Sequence, residues 1–167
     1  MNKFSIPILA IFASTLLTTP VFAGQANPHF IGTPTLTTSL TTGVTASGKA
    51  AGLDELPTAA FLTASKVTAQ YVCVNHGGNI APGQPLAFSN VVGPKQGITP
   101  HNGQITFTAT IPPPPTPKSS DVCPNGNWSV QLQKLTYENV VLHIQQGNPP
   151  APPDILSFTF QTTITIT

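Results

Sequence analysis

Ile155-Leu156-Ser157-Phe158-Thr159-Phe160-Gln161-Thr162-Thr163-Ile164-Thr165-Ile166-Thr167 decides the fold class. Leu156, Phe158, Phe160, Ile164 and Ile166 share one parity, while threonine, serine and glutamine take most of the other. Side chains on a strand point alternately to opposite faces, so this period of two specifies a strand with one buried face.

The same period recurs toward the N-terminus. Val140, Leu142 and Ile144 form one apolar face, and Trp128, Val130 and Leu132 another. Leu135 and Tyr137 continue the latter in the opposite parity, which predicts a bulge near Gln133-Lys134. Ile105, Phe107, Ala109 and Ile111 alternate with threonines, and Val67, Ala69, Tyr71 and Cys73 alternate with Lys66, Thr68 and Gln70. Leu36 to Thr42, Val44 to Leu53 and Leu86 to Val92 are weaker strand candidates. Turn residues separate most of these runs. About seven to nine short strands spaced in this way predict an all-β, Ig-like antiparallel β-sandwich. Helix is expected nowhere beyond one turn near Asp54-Glu55-Leu56, within Leu53 to Ser65. The proline runs 111–117 and 148–154 read as stiff crossover loops, because proline fixes φ and removes a ladder donor.

The N-terminus reads as an address. Met1-Asn2-Lys3 precedes an apolar stretch from Ile6 to Leu17, and Val21-Phe22-Ala23 supplies a cleavage pattern. Residues 1–23 are therefore expected to be a secretory signal peptide, leaving one domain over 24–167. The apolar stretch falls short of the roughly 20 residues that span a bilayer. A secreted location, extracellular or periplasmic, is expected.

Charge narrows the partners. Beyond residue 23 there are five lysines, five acids and no arginine. Phosphate recognition depends on basic clusters with arginine, so nucleic acid is not an expected partner, nor is an anionic membrane surface. Cys73 and Cys123 are the two cysteines, and in an oxidising compartment they are expected to form one disulfide.

Catalytic groups are scattered. There is no G-x-S-x-G elbow or phosphate-cradling glycine loop, and Asp54 and Glu55 would face opposite sides of a strand. His143 falls opposite the apolar face of its strand, and His29 lies near the mature N-terminus. His76 in Asn75-His76-Gly77-Gly78-Asn79 and His101 in Thr99-Pro100-His101-Asn102-Gly103 occupy polar loops, where a ligand contact is useful. Neither an enzyme, a metal site nor a cofactor is expected. Asn127-Trp128-Ser129 matches the glycosylation sequon and reads as coincidence beside the strand start.

Residues 71–84, with Cys73-Val74-Asn75-His76-Gly77-Gly78, and residues 121–128, with Cys123-Pro124-Asn125-Gly126-Asn127-Trp128, carry a further signal, together with residues 46–53 and 102–107. With these segments the chain resembles a family of small secreted bacterial proteins of unassigned activity. The resemblance implies an exported, disulfide-bonded β-domain and transfers no site residues. Physically, both cysteines lead into Asn/Gly turns. A disulfide would gather His76, Asn79, Asn125 and Asn127 at one end of the domain.

Three functions remain open. The first is an exported, non-catalytic binding or adhesion module using His76, Asn79, His101, Asn125 and Asn127, with an extracellular protein, glycan or matrix ligand. The second is a surface protein that self-assembles through edge strands, from the segment Thr33 to Thr42 or the C-terminal run. The third is a secreted effector enzyme with a site around His76 and His101.

Overall fold

In a computed structural model, which describes residues 27–167, the longest strand is β4 (Thr58–Val74). The expected leader lies outside the described residues. Everything in the larger sheet is built along β4. β5 (Ile80–Pro82), β6 (Leu86–Val92) and β7 (Gln96–Ile98) pair with it in succession, all antiparallel. β9 (Ser129–Glu138) and β10 (Val141–Gly147) also pair with it in succession. Residues 58–60 pair with both β7 and β10, so the two series lie on opposite edges of β4. β11 (Pro150–Thr159) extends the sheet beyond β10, and β12 (Thr163–Ile166) extends it beyond β9.

The second sheet centres on β3 (Gly43–Ala51). β1 (His29–Phe30) and β2 (Thr35–Ser39) share one of its edges, and β8 (Gln104–Ile111) takes the other. Among the described residues, the twelve strands thus follow seven lines, three in one sheet and four in the other. The fold is an all-β, Ig-like antiparallel sandwich with one disulfide. Compared with the constant-type Ig order, the fourth line has changed sheets: β5, β6 and β7 pair with the third line, not the fifth.

Between the sheets, Val44, Ala46, Phe107 and Ile111 pack with Leu62, Val67, Tyr137, Leu142 and Ile144, all buried. Gly48 pairs with Phe107, and a Cβ there would come within 2.8 Å of the phenyl ring. The ring lies over the glycine and fills the space its missing side chain leaves.

A crease crosses the four-line sheet. Up to Ala64 the even residues of β4 face the core; from Val67 the odd ones do, and Ser65 and Lys66 are both exposed. Asn90 and Asn139 stand opposite this point on the two flanking lines, at φ 53° and 50°. Asparagine tolerates this left-handed region better than most residues. Asn139 Nδ2 donates to Ser65 Oγ at 3.0 Å, and Ser65 Oγ donates to the Glu138 carbonyl at 3.1 Å. A second irregularity falls where the parity change predicted it. Gln70 pairs with Lys134 and Tyr71 with Leu132, which leaves Gln133 as the extra residue.

Two expectations need correction. No helical turn forms within Leu53 to Ser65: residues 54–56 are irregular, with the Asp54 and Leu56 carbonyls accepting from Gln146 Nε2, and strand begins at Thr58. Thr58 to Leu62 are all buried, so both faces of the strand are covered and no alternation marks it. The second proline run is not wholly a crossover loop, since Pro150, Pro152 and Pro153 belong to β11. They are accommodated on the outermost line, where a missing N–H costs no ladder bond. The first proline run does connect two elements, β8 and the single-turn α1 (Ser119–Val122).

Candidate functional site

Two polar groupings stand out, one at an end of the sandwich and one on its outer face. The end is organised by the Cys73–Cys123 disulfide, with Cα atoms 5.7 Å apart. Cys73 lies in β4 and is fully buried; Cys123 follows α1, its N–H donating to the Ser119 carbonyl at 2.7 Å. The Val122 side chain is buried, and its carbonyl accepts from Gln84 N–H at 2.8 Å, so α1 is anchored from both sides.

The loop after β4 is built by Asn75. Its Oδ1 accepts from Gly77 N–H and Asn79 N–H, both at 2.9 Å, and Gly78 supplies φ 79°. Asn125 Oδ1 does the same work in the neighbouring loop, accepting from Asn127 N–H at 3.1 Å. Ser129 pairs with Val74, and its hydroxyl donates to the Val74 carbonyl at 3.1 Å. His76, Asn79, Asn125 and Asn127 therefore share one end, all exposed. Ile80 beside them is 71% exposed. A shallow cleft of about 370 Å³ adjoins it, between Ile80, Pro82, Pro85 and Gln133.

His101 is elsewhere. It closes the β7–β8 turn through paired backbone bonds with Gln104, at 2.9 and 3.0 Å. β7 pairs with the first residues of β4, whereas His76 follows the last. The whole length of β4, roughly 50 Å of extended chain, separates the two ends. A site assembled around both His76 and His101 is ruled out by this topology. His101 instead borders a separate cleft with Lys49, Thr99, Gln104 and Thr106.

The outer-face grouping was not foreseen from the sequence. Phe61 and Thr63 from β4 and His143 and Gln145 from β10 point away from the core, and Asp154 joins them from β11. His143 Nε2 and Thr63 Oγ1 are 2.8 Å apart, and His143 Nδ1 meets Asp154 Oδ2. Gln145 Nε2 donates to Asp154 Oδ1 at 2.9 Å, while Lys95 Nζ donates to Gln145 Oε1 at 3.0 Å. The His143 ring stacks on Phe61 with centroids 4.9 Å apart, and the Lys95 ammonium sits 4.8 Å from the Phe61 centroid. Six residues are thus tied together, five on the neighbouring strands β4, β10 and β11 and Lys95 from the segment just before β7. His143 was read from sequence only as a residue opposite an apolar face. Its partners lie 80 and 11 residues away, visible only once the strand register is known.

Inside the core, the hydroxyls of Tyr71 and Tyr137 are buried without a hydrogen-bond partner among the described residues. Burial pushes the Tyr137 phenol up to about 12 and raises that of Tyr71. Among the described residues, no three His, Cys, Asp or Glu side chains are grouped to hold a metal ion, and no helix is long and apolar enough to cross a membrane.

The fold and these two groupings define an Ig-like sandwich with a disulfide-tied loop end and a cross-braced outer face. No family model, no curated protein and no solved structure matches the chain.

Proposed function

We propose that the chain is an exported binding or adhesion module of the small secreted bacterial type, which recognises an extracellular ligand through the disulfide-tied end. The carrying observation is the convergence of His76, Asn79, Asn125 and Asn127 on one end, beside exposed Ile80. Asn75 and Asn125 spend their side chains on the turns themselves, which leaves His76, Asn79 and Asn127 for a partner. With so few charges, the surface favours an uncharged polar ligand bound through hydroxyl, amide and apolar contacts; a glycan fits that chemistry. The test is a glycan and matrix-protein array probed with the oxidised protein and with a His76→Ala/Asn79→Ala/Asn127→Ala variant. Binding that the triple variant loses supports the reading. Binding that it retains in full assigns recognition to another surface.

A second reading is assembly through sheet edges. β2 and β12 lie on outer lines, carry neither charge nor proline, and face each other across a cleft of about 390 Å³ lined by Leu36, Thr38, Phe160 and Ile164. Edges without such blocking residues are open to strand addition. Light scattering at rising concentration tests this, and a monomer throughout would remove it.

A further inference from the structure

We propose that Thr63 is a nucleophilic hydroxyl, activated by His143 and Asp154, that takes acyl groups from carboxylic esters. This goes beyond recognition at the disulfide-tied end and stands on a different face of the molecule.

The relay is ordered by donor and acceptor chemistry. An ionised Asp154 carboxylate only accepts, so the proton of a neutral His143 resides on Nδ1. That leaves the Nε2 lone pair facing Thr63 Oγ1, 2.8 Å away, where it accepts the hydroxyl proton. A base against the nucleophile, oriented by a third group, is the arrangement nucleophilic catalysis needs. The supports are specific. Gln145, only 4% exposed, donates to the second carboxylate oxygen, so both oxygens of Asp154 are engaged. Phe61, stacked at 15° to the imidazole, holds the ring plane.

A structural brace alone would account for these bonds. The second observation is what lies beside Thr63. A cleft of about 370 Å³ opens there, with Val91, Val92 and Val141 as apolar walls and Ser65, Asn90 and Asn139 as polar ones. The valines suit a short acyl chain. The Asn90 and Asn139 carboxamides, both at the crease, are the side-chain N–H donors among these lining residues that could polarise an ester carbonyl.

In the step itself, Thr63 Oγ1 attacks the ester carbonyl carbon while His143 Nε2 takes the hydroxyl proton. The Oγ1–carbon bond forms, the ester C–O bond breaks, and Nε2 returns the proton to the departing alkoxide. Thr63 is left O-acylated. Water deprotonated by the same nitrogen then attacks the acyl carbon, releases the carboxylic acid and restores the hydroxyl. No oxidation or reduction occurs.

The test uses the oxidised wild-type protein and p-nitrophenyl acetate, followed by peptide mapping with and without hydroxylamine, which cleaves esters and spares acetylated amines. The expected result is one hydroxylamine-labile acetyl group on the peptide carrying Thr63. It is absent in Thr63→Val, and forms about a hundredfold more slowly in His143→Gln. Acetylation confined to lysines or the N-terminal amine in the wild type overturns the proposal, and that result needs no variant to fold. A labile adduct on Thr63 that forms equally fast in a folded His143→Gln variant also overturns it.

Discussion

The two halves of β4 make different kinds of sheet from one strand. From Thr58 to Leu62 the strand is buried on both faces, against the opposing sheet on one and, on the other, with His143 and Lys95 packed around Phe61. From Val67 to Val74 only the odd residues are buried, and the half ends in a disulfide. The first half is held by packing in depth, and the second by one buried face and a covalent tie. The difference teaches where each half is vulnerable. The loops proposed for recognition lie at the second end, beside the crosslink.

The largest expected effect breaks the second half. Replacing Cys73 and Cys123 with alanine reopens a loop spanning a sequence separation of 50, worth about 4 kcal/mol in the chain-entropy model. Urea unfolding should show the midpoint falling accordingly, with the disulfide-tied loops losing protease protection first. The first half answers to cavity formation. Leu62→Ala, at a fully buried inner position, should cost about 3 kcal/mol. Its loss should appear as lower global stability without selective fraying at the His76 loop. If both variants fray the same loop first, the two halves are not distinct.

This contrast also explains what the sequence revealed. The half-covered second half was legible: Val67, Ala69, Tyr71 and Cys73 are buried as their alternation required, and the change of parity at Leu135 located the extra residue Gln133. The doubly covered first half was not, because a strand buried on both sides has no period to read. Ala59, Ala60 and Leu62 also suit a helix by intrinsic preference, which tertiary pairing overrides. Site residues divide in the same way. The gathering of His76, Asn79, Asn125 and Asn127 follows from local turns and one disulfide. The Thr63–His143–Asp154 relay and the distance between His76 and His101 depend on strand register and line order, which no single segment encodes.

A smaller effect probes the core beside the crease. Tyr137 pairs with Val67, and its hydroxyl is buried without a partner among the described residues. Its folded pKa of about 12 lies above the ordinary 10, so the folded state holds this proton more tightly. Above pH 10 the unfolded chain ionises first, and stability is lost progressively between pH 10 and about 12. Each pH unit in that window costs about 1.4 kcal/mol. Tyr71 acts in the same direction. Thermal unfolding of Tyr137→Phe should show a flatter alkaline decline than wild type. At neutral pH the variant should be at least as stable, since it removes an unsatisfied hydroxyl. A marked loss at pH 7 would mean that the hydroxyl has a partner after all.

The smallest effect separates charge from backbone geometry at the crease. Lys66 and Glu138 pair across the strands at 3.5 Å, but their side chains are 46% and 38% exposed. Solvent screens such a pair, so Lys66→Ala should change stability by less than about 0.5 kcal/mol and leave its salt dependence nearly unchanged. Asn139, the next residue after Glu138, adopts φ 50°. Asn139→Ala should cost about 1 kcal/mol, because alanine pays the left-handed penalty and Ser65 Oγ loses a donor. Asn139→Gly removes the same hydrogen bond without the steric penalty, so it should fall between the other two variants. If chemical unfolding ranks Lys66→Ala as the most damaging of the three, the crease is held by the ion pair. The ranking expected from the structure puts it last, with the change of face carried by the backbone of Asn139 and its hold on Ser65.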